Sequence, residues 1–144
     1  EEYALYHPGG KLGRGLMKVR DVMRQGEANP LVRDTAPLSQ ALEVMTKTPG
    51  RPGAATVVNA QGKLVGVFTD GDLRRLVEQG TSDFRAPVST MMSKNPRTVR
   101  PDALVVDAAR VLRQARIDQV PVVDEKDRPV GLLDVQDLLA ARVL

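Results

Sequence analysis

The chain has 144 residues, 42% of them hydrophobic, a formal net charge of +3 and no cysteine. That length suits one compact domain or two tightly joined small units with a real core. Disulfides and thiolate metal sites are excluded, the single histidine, His7, leaves no His-based metal centre, and no apolar run approaches the roughly 20 residues of a membrane helix.

No signal-peptide pattern opens the chain, so a cytoplasmic setting with no membrane partner is expected. Acids are interspersed among the bases, and the only aromatic residues are Tyr3, Tyr6, Phe68 and Phe84. A single-strand nucleic-acid binder wants basic grooves with stacking rings between them, so nucleic acid is not an expected partner. The opening Glu-Glu-Tyr, without Met, points to a piece of a longer protein.

From Val19 onward an extended lead-in carries Pro30. Leu38, Ala41, Leu42 and Met45 then fall on one face of a helix, with Pro37 at its start, where a missing N–H costs nothing. A break rich in glycine and proline, Pro49 to Gly53, precedes two short apolar strands, Ala55–Val58 and Leu64–Phe68, joined by a turn at Asn59 to Lys63. A second helix runs from Asp72 to Gln79 and is stopped by Gly80. The pattern then begins again. A lead-in carries Pro96, Pro101 marks a helix start, and Val105, Ala108, Ala109 and Leu112 repeat the apolar face. Strands Val120–Val123 and Val130–Leu133 flank a turn at Glu125 to Arg128, and a last helix runs from Gln136 to about Val143.

The wording repeats as well as the pattern. GVFTDGDLRRL from Gly66 returns as GLLDVQDLLAA from Gly131, 65 positions later, with Val57-Val58 matched by Val122-Val123. VRDVM from Val19 resembles VSTMM from Val88, and ALEVM from Ala41 resembles AARVL from Ala108, with offsets that drift as loop insertions would cause. One helix–strand–strand–helix unit occurs twice, over residues 19–80 and 81–144. A single unit is too small to bury both faces of its sheet, so an α/β pair packed sheet to sheet is expected.

Thr69-Asp70-Gly71-Asp72 satisfies the capping box [ST]-x-x-[DE]. It also suits an anion, because free N–H groups at a helix start favour negative charge. Arg74 and Arg75 are placed either to reach a phosphate or to form a solvated face. Arg110, Arg113 and Arg116, at spacing three, read as a solvent or dimer surface. Met17, Met23, Met45, Met91 and Met92 read as gap fillers of core and interface.

A repeated unit with G-h-h-T-x-x-D after its second strand resembles a tandem pair of CBS domains, also called a Bateman pair. Gly66, Thr69 and Asp72 match that nucleotide-contact motif, as do Gly131 and Asp137 in the second copy, while Asp134 departs from it. ALYHPGGKLGRGLMKVRDVM, from Ala4 to Met23, is similar to the junction in bacterial arabinose-5-phosphate isomerases of the KpsF/GutQ type, where a sugar-isomerase (SIS) domain runs into the first CBS unit. That family usually has histidines where this chain has Asp134 and Gln136.

The resemblance implies that residues 1–18 are the end of a SIS domain with its linker. The whole enzyme would interconvert D-ribulose 5-phosphate and D-arabinose 5-phosphate for Kdo and lipopolysaccharide synthesis. His7 is a candidate acid/base only in that whole enzyme, so no catalytic residue, metal or cofactor is expected in this stretch. The CBS pair itself would form homo-oligomers and bind a regulatory nucleotide, of adenine or cytidine type, with CMP-Kdo among the candidates.

In the first unit the expected site is Leu31, Val32, Ala54, Ala55, Gly66, Thr69 and Asp72, the aliphatic residues walling the base in the absence of a ring. A second, weaker cleft comprises Gln119, Val120, Pro121, Asp134 and Asp137. There the Asp134 carboxylate should repel a phosphate by roughly 4 kcal/mol at about 4 Å, and it would cap its own helix instead. The alternative is a structural module that only dimerises.

Overall fold

The computed structural model of the chain describes residues 16–80 and 83–142. His7, the HPGG segment, Tyr3, Tyr6, the 80/81 boundary residue Thr81 and the expected helix end at Val143 lie outside the described residues. Among the described residues, four α-helices pack on six strands that form two sheets. One has the order β1 (Leu31–Arg33), β2 (Ala54–Val58), β3 (Leu64–Thr69), β4 (Ser93–Lys94); the other pairs β5 (Gln119–Val123) with β6 (Pro129–Asp134). Four α-helices complete the units: α1 (Leu38–Lys47), α2 (Asp70–Glu78), α3 (Val105–Ala115) and α4 (Val135–Ala140).

Each unit carries its own core. Leu38, Ala41 and Met45 of α1 pack with Ala55, Val57 and Phe68 in one cluster, and Val105, Ala108, Ala109 and Leu112 of α3 pack with Val120, Val122 and Leu133 in the other. These are the helix faces that spacing predicts. All five residues of β2 are buried. Strand alternation turns Ala55 and Val57 to the helices, which leaves Ala54, Thr56 and Val58 on the opposite face, and that face is buried as well.

Pro37 caps α1, but Pro101 does not open α3, whose N-cap is Leu104. Pro101 lies in the turn before it, where its carbonyl accepts the N–H of Arg20 (3.0 Å). Helix α2 begins two residues earlier than expected, because Asp70 and Gly71 already form its first turn under the Thr69 cap.

The lead-ins are exchanged between the units. β1 runs parallel to β2 at one edge of its sheet. The opposite edge is supplied by β4, from the lead-in to the second unit, paired antiparallel with β3. The second unit mirrors this: Val99 bridges Val122 in parallel, and Arg24, from the first lead-in, bridges Leu132 antiparallel. Arg24 N–H donates to Leu132 O at 2.8 Å and Leu132 N–H to Arg24 O at 2.9 Å. Both motif glycines exist to admit these crossing strands. A Cβ on Gly66 would stand 2.8 Å from Ser93 O and 2.5 Å from Met92 Sδ; one on Gly131 would stand 2.7 Å from Arg24 O and from Met23 Sδ. Real Cβ contacts are essentially never that short, so close backbone approach requires glycine here.

Candidate functional site

Where β3 meets α2, the capping box forms in full. Thr69 Oγ1 accepts the Asp72 N–H (3.2 Å), and Asp72 Oδ2 accepts the Thr69 N–H (2.9 Å). The other Asp72 oxygen accepts from Ser93 Oγ (3.2 Å) and from the Arg75 guanidinium. Thr69 uses only its oxygen in the cap, so its hydroxyl proton remains available to an acceptor. Asp72 is buried at 8% exposure, yet its Arg75 partner is a surface side chain. Its guanidinium stands on the solvent side of the buried carboxylate, three residues along the same helix.

A cavity of about 560 Å³ opens on this corner. Its polar lining includes Thr69, Asp70, Asp72, Ser93 and Asp118, and four arginines, Arg74, Arg75, Arg97 and Arg116, surround it. Val67, Pro96, Ile117 and Pro121 give it aliphatic walls. Arg116 ends α3 with φ +56°, in the left-handed region. That conformation costs roughly 1–2 kcal/mol for a residue other than glycine, which turns the chain into the cavity wall rather than onto the outer face shared by Arg110 and Arg113.

The structure brings Thr69 and Asp72 together here, but four of the expected wall residues lie elsewhere. Val32, Ala54 and Ala55 are buried at 4% exposure or less, and Leu31 is exposed at the far edge. None of them, nor Gly66, lines the cavity. For Leu31 and Val32 the reason is that β1 lies two strands away from β3, whose free edge is covered by the second unit's lead-in from Ser93; Ala54 and Ala55 do pair with Thr69 and Phe68 across the ladder, but both are buried. Gln119 and Pro121, expected at the second cleft, line this first cavity, and Gln119 reaches the second motif as well, through Asp134. Val120 points into its own unit's core.

The second motif is built on the same box, with Asp134 N–H donating to Asp137 Oδ2 (3.0 Å) and Gln136 N–H to Asp134 Oδ1 (2.8 Å). Asp134 does cap its helix, but its charge is not bare. Gln119 Nε2 donates to it at 3.3 Å, and the Arg24 guanidinium stands 3.9 Å away. Arg24 Nε donates to both oxygens of Asp137 at 3.2 Å, and its Nη1 donates to Gly50 O at 3.2 Å. Unpaired repulsion by Asp134 is therefore not what distinguishes this cleft. Burial pushes the Asp137 carboxyl above its ordinary value, against the opposing pull of the Asp134 N–H and Arg24.

Arg24, Ser93, Arg97 and Arg116 were not among the expected site residues. The signal for the first two stands one position past the repeated VRDVM and VSTMM, where Arg24 answers to Ser93. Among the described residues no cluster of three or more His, Cys, Asp or Glu could hold a metal ion, and no helix is long and apolar enough to cross a membrane.

Two α/β units with exchanged lead-ins and a capped aspartate at each strand-to-helix corner define a tandem CBS pair, and the chain belongs to the CBS domain family, which it matches over residues 19–79 and 88–144. It is 41% identical over 145 aligned positions to the arabinose 5-phosphate isomerase KdsD of Pseudomonas aeruginosa, covering all of this chain and 44% of that protein. The chain thus spans less than half the length of this relative. The CBS domain protein PAE2072 from Pyrobaculum aerophilum, complexed with AMP, shares the fold with a TM-score of 0.75 at 23% identity, over 85% of this chain and 90% of its own. CBSX2, in complex with AMP, has a TM-score of 0.73 at 25% identity, over 88% of this chain and 96% of its own.

Proposed function

We propose that this CBS pair is the nucleotide-sensing, oligomerising half of a cytoplasmic D-arabinose 5-phosphate isomerase that serves Kdo and lipopolysaccharide synthesis. Residues 1–18 are the end of its SIS domain and linker, 19–80 and 81–144 the two CBS units. The observation that carries the nucleotide reading is the cavity at Thr69 and Asp72, whose 560 Å³ falls within the range of small-ligand sites, about 300–1,000 Å³. Asp72 supplies a carboxylate for a ribose diol, the Thr69 hydroxyl and the nearby arginines supply donors for phosphate, and Val67, Pro96, Ile117 and Pro121 supply apolar walls for a base. The AMP complexes of related folds favour adenine over cytidine or CMP-Kdo.

Because the cavity is lined from both units, a ligand there favours one arrangement of the pair over others and biases an attached domain by that difference in affinity. The stretch itself is expected to turn over no ribulose 5-phosphate. Calorimetry with AMP, ATP, CMP and CMP-Kdo tests the reading. AMP is expected to bind, and Asp72→Ala to weaken it by at least tenfold, since hydrogen bonds involving charged groups contribute about 1.5–3 kcal/mol. No heat with any of the four ligands would favour a scaffold that only dimerises. That second reading has its own observation: Val77 on α2 and Leu139 on α4 are 61% and 55% exposed, apolar surface of the kind that marks association. Met23, Met91 and Met92 do not contribute to it, since they pack against the two cores.

A further inference from the structure

We infer that Arg24 is a built-in occupant of the second cleft, a tethered guanidinium that makes this CBS pair a sensor with one nucleotide site. The inference rests on the nucleotide reading above for the first cleft and goes beyond it for the second. Arg24 and Ser93 hold equivalent places in the two units: Ser93 faces Val67 across the β3–β4 ladder, and Arg24 faces Leu132, 65 positions after Val67. At that place the first cleft has a hydroxymethyl group, which leaves the cavity open beside Asp72. The second has a guanidinium laid across both oxygens of Asp137, the carboxylate equivalent to Asp72.

The two arginines on these aspartates differ in how firmly they are held. Arg75 reaches Asp72 from three residues along the same helix and is 61% exposed. Arg24 comes from 113 residues away and is 13% exposed. Three anchors fix it: Asp137, the Gly50 carbonyl and the approach of its Nη2 to Asp134. A ribose diol needs the carboxylate oxygens that Arg24 Nε already takes, and the neighbouring Asp134 offers a phosphate only acceptors. Displacing Arg24 would strand two carboxylates in a place where burial penalises charge. The second cleft is thus closed from within by the chain's own cation.

Exchanging the two residues tests this with AMP in calorimetry on the 144-residue chain. One AMP per chain is expected for the wild type and two for Arg24→Ser, the added site disappearing again when Asp137→Ala is combined with it. Arg24→Gln, which keeps the first part of the stem and a neutral donor near the place of Nε but loses the cation and the anchor to Gly50, is expected to behave like Arg24→Ser if the latter loses its native circular dichroism. Ser93→Arg, a change at an exposed position, is expected to weaken AMP at least tenfold by closing the first cleft in the same way. Two AMP molecules on the wild type, a folded Arg24 variant with no added site, or Ser93→Arg binding as the wild type does would each overturn the inference. A wild type that binds none while Arg24→Ser binds one would remove the first-cleft reading and leave the role of Arg24 standing.

Discussion

Thr56 carries the cost of burying a single polar atom. It is 0% exposed in the middle of β2, on the face opposite Ala55 and Val57, and its Oγ1 has no hydrogen-bond partner. An unsatisfied buried hydroxyl costs about 1–3 kcal/mol. Thr56→Val keeps the branched shape and removes the orphan, so a gain of about 1 kcal/mol is expected, seen as a melting temperature about 3 °C higher by calorimetry. A lower one would mean that the hydroxyl has a partner in solution. Thr69, also a strand threonine, is the opposite case: its oxygen is satisfied by the Asp72 N–H. Removing it by Thr69→Ala should cost about 1 kcal/mol through the lost cap, and Thr69→Ser should restore it in urea unfolding.

At the scale of elements, the two hairpin turns make a controlled comparison. Asn59 Oδ1 accepts the N–H groups of Gln61 (2.9 Å) and Lys63 (3.0 Å); 65 positions on, Asp124 Oδ1 accepts those of Lys126 (2.9 Å) and Arg128 (3.0 Å). The bond from the Arg128 N–H holds the Asp124 carboxyl below its ordinary value. A carboxyl whose folded value is depressed contributes stability above its unfolded value of about 3.9 and loses it as pH falls through the folded one. Acid is therefore expected to loosen the β5–β6 turn and not the β2–β3 turn. Asp124→Asn should remove that difference in amide exchange measured below pH 4, and equal acid sensitivity of both turns in the wild type would refute the assignment. The glycines of β3 and β6 allow a second test. Gly131→Ala forces a methyl against the Arg24 carbonyl, where backbone cannot yield as a side chain does. A loss of about 1–3 kcal/mol is expected, and an unchanged urea midpoint would count against the tight crossing.

The helices and the central strand pairs were legible in the sequence because their signals are local: a 3.6-residue apolar period, two β-branched runs around a turn, a capping box. Thr69 and Asp72 were legible for the same reason, as parts of one motif. The walls of the cavity were not. Leu31 and Val32 are lead-in residues of the first unit, and proximity in sequence places them beside the first motif; the fold instead brings Ser93 to Arg97 there, across an exchange that no short-range pattern encodes. Arg116 was hidden by its spacing from Arg110 and Arg113, which suggests a helix face until the left-handed turn at its own position ends the helix. Arg24 bears on a partner 113 residues away, and only its alignment with Ser93 hinted at it.

For the molecule as a whole, the crossed lead-ins bind the units more tightly than a flexible linker would. Residues 16–80 alone lack β4, and residues 83–142 alone lack the segment around Arg24 and the Val19 side chain, which is fully buried in the second core. Each half expressed separately is expected to show a broad, non-cooperative urea transition, against one sharp transition for the pair; a sharp transition in either half would show that the exchange is dispensable. In the intact chain, dimerisation through the faces of Val77 and Leu139 is expected, and a monomeric mass by light scattering at micromolar concentration would argue against it.

The arginine in the second cleft also has a bearing on synthesis. Residues leave the ribosome in order, so Arg24 emerges 113 residues ahead of Asp137, its acidic partner. Until then its guanidinium stays in water, and Met23 beside it has no Gly131 to pack against. The ion pair therefore reports that the second unit has been made as far as α4. A copy cut short before α4 would carry an unpaired cation and an open apolar core, the exposed surface by which quality-control proteases distinguish an unfinished protein from a finished one.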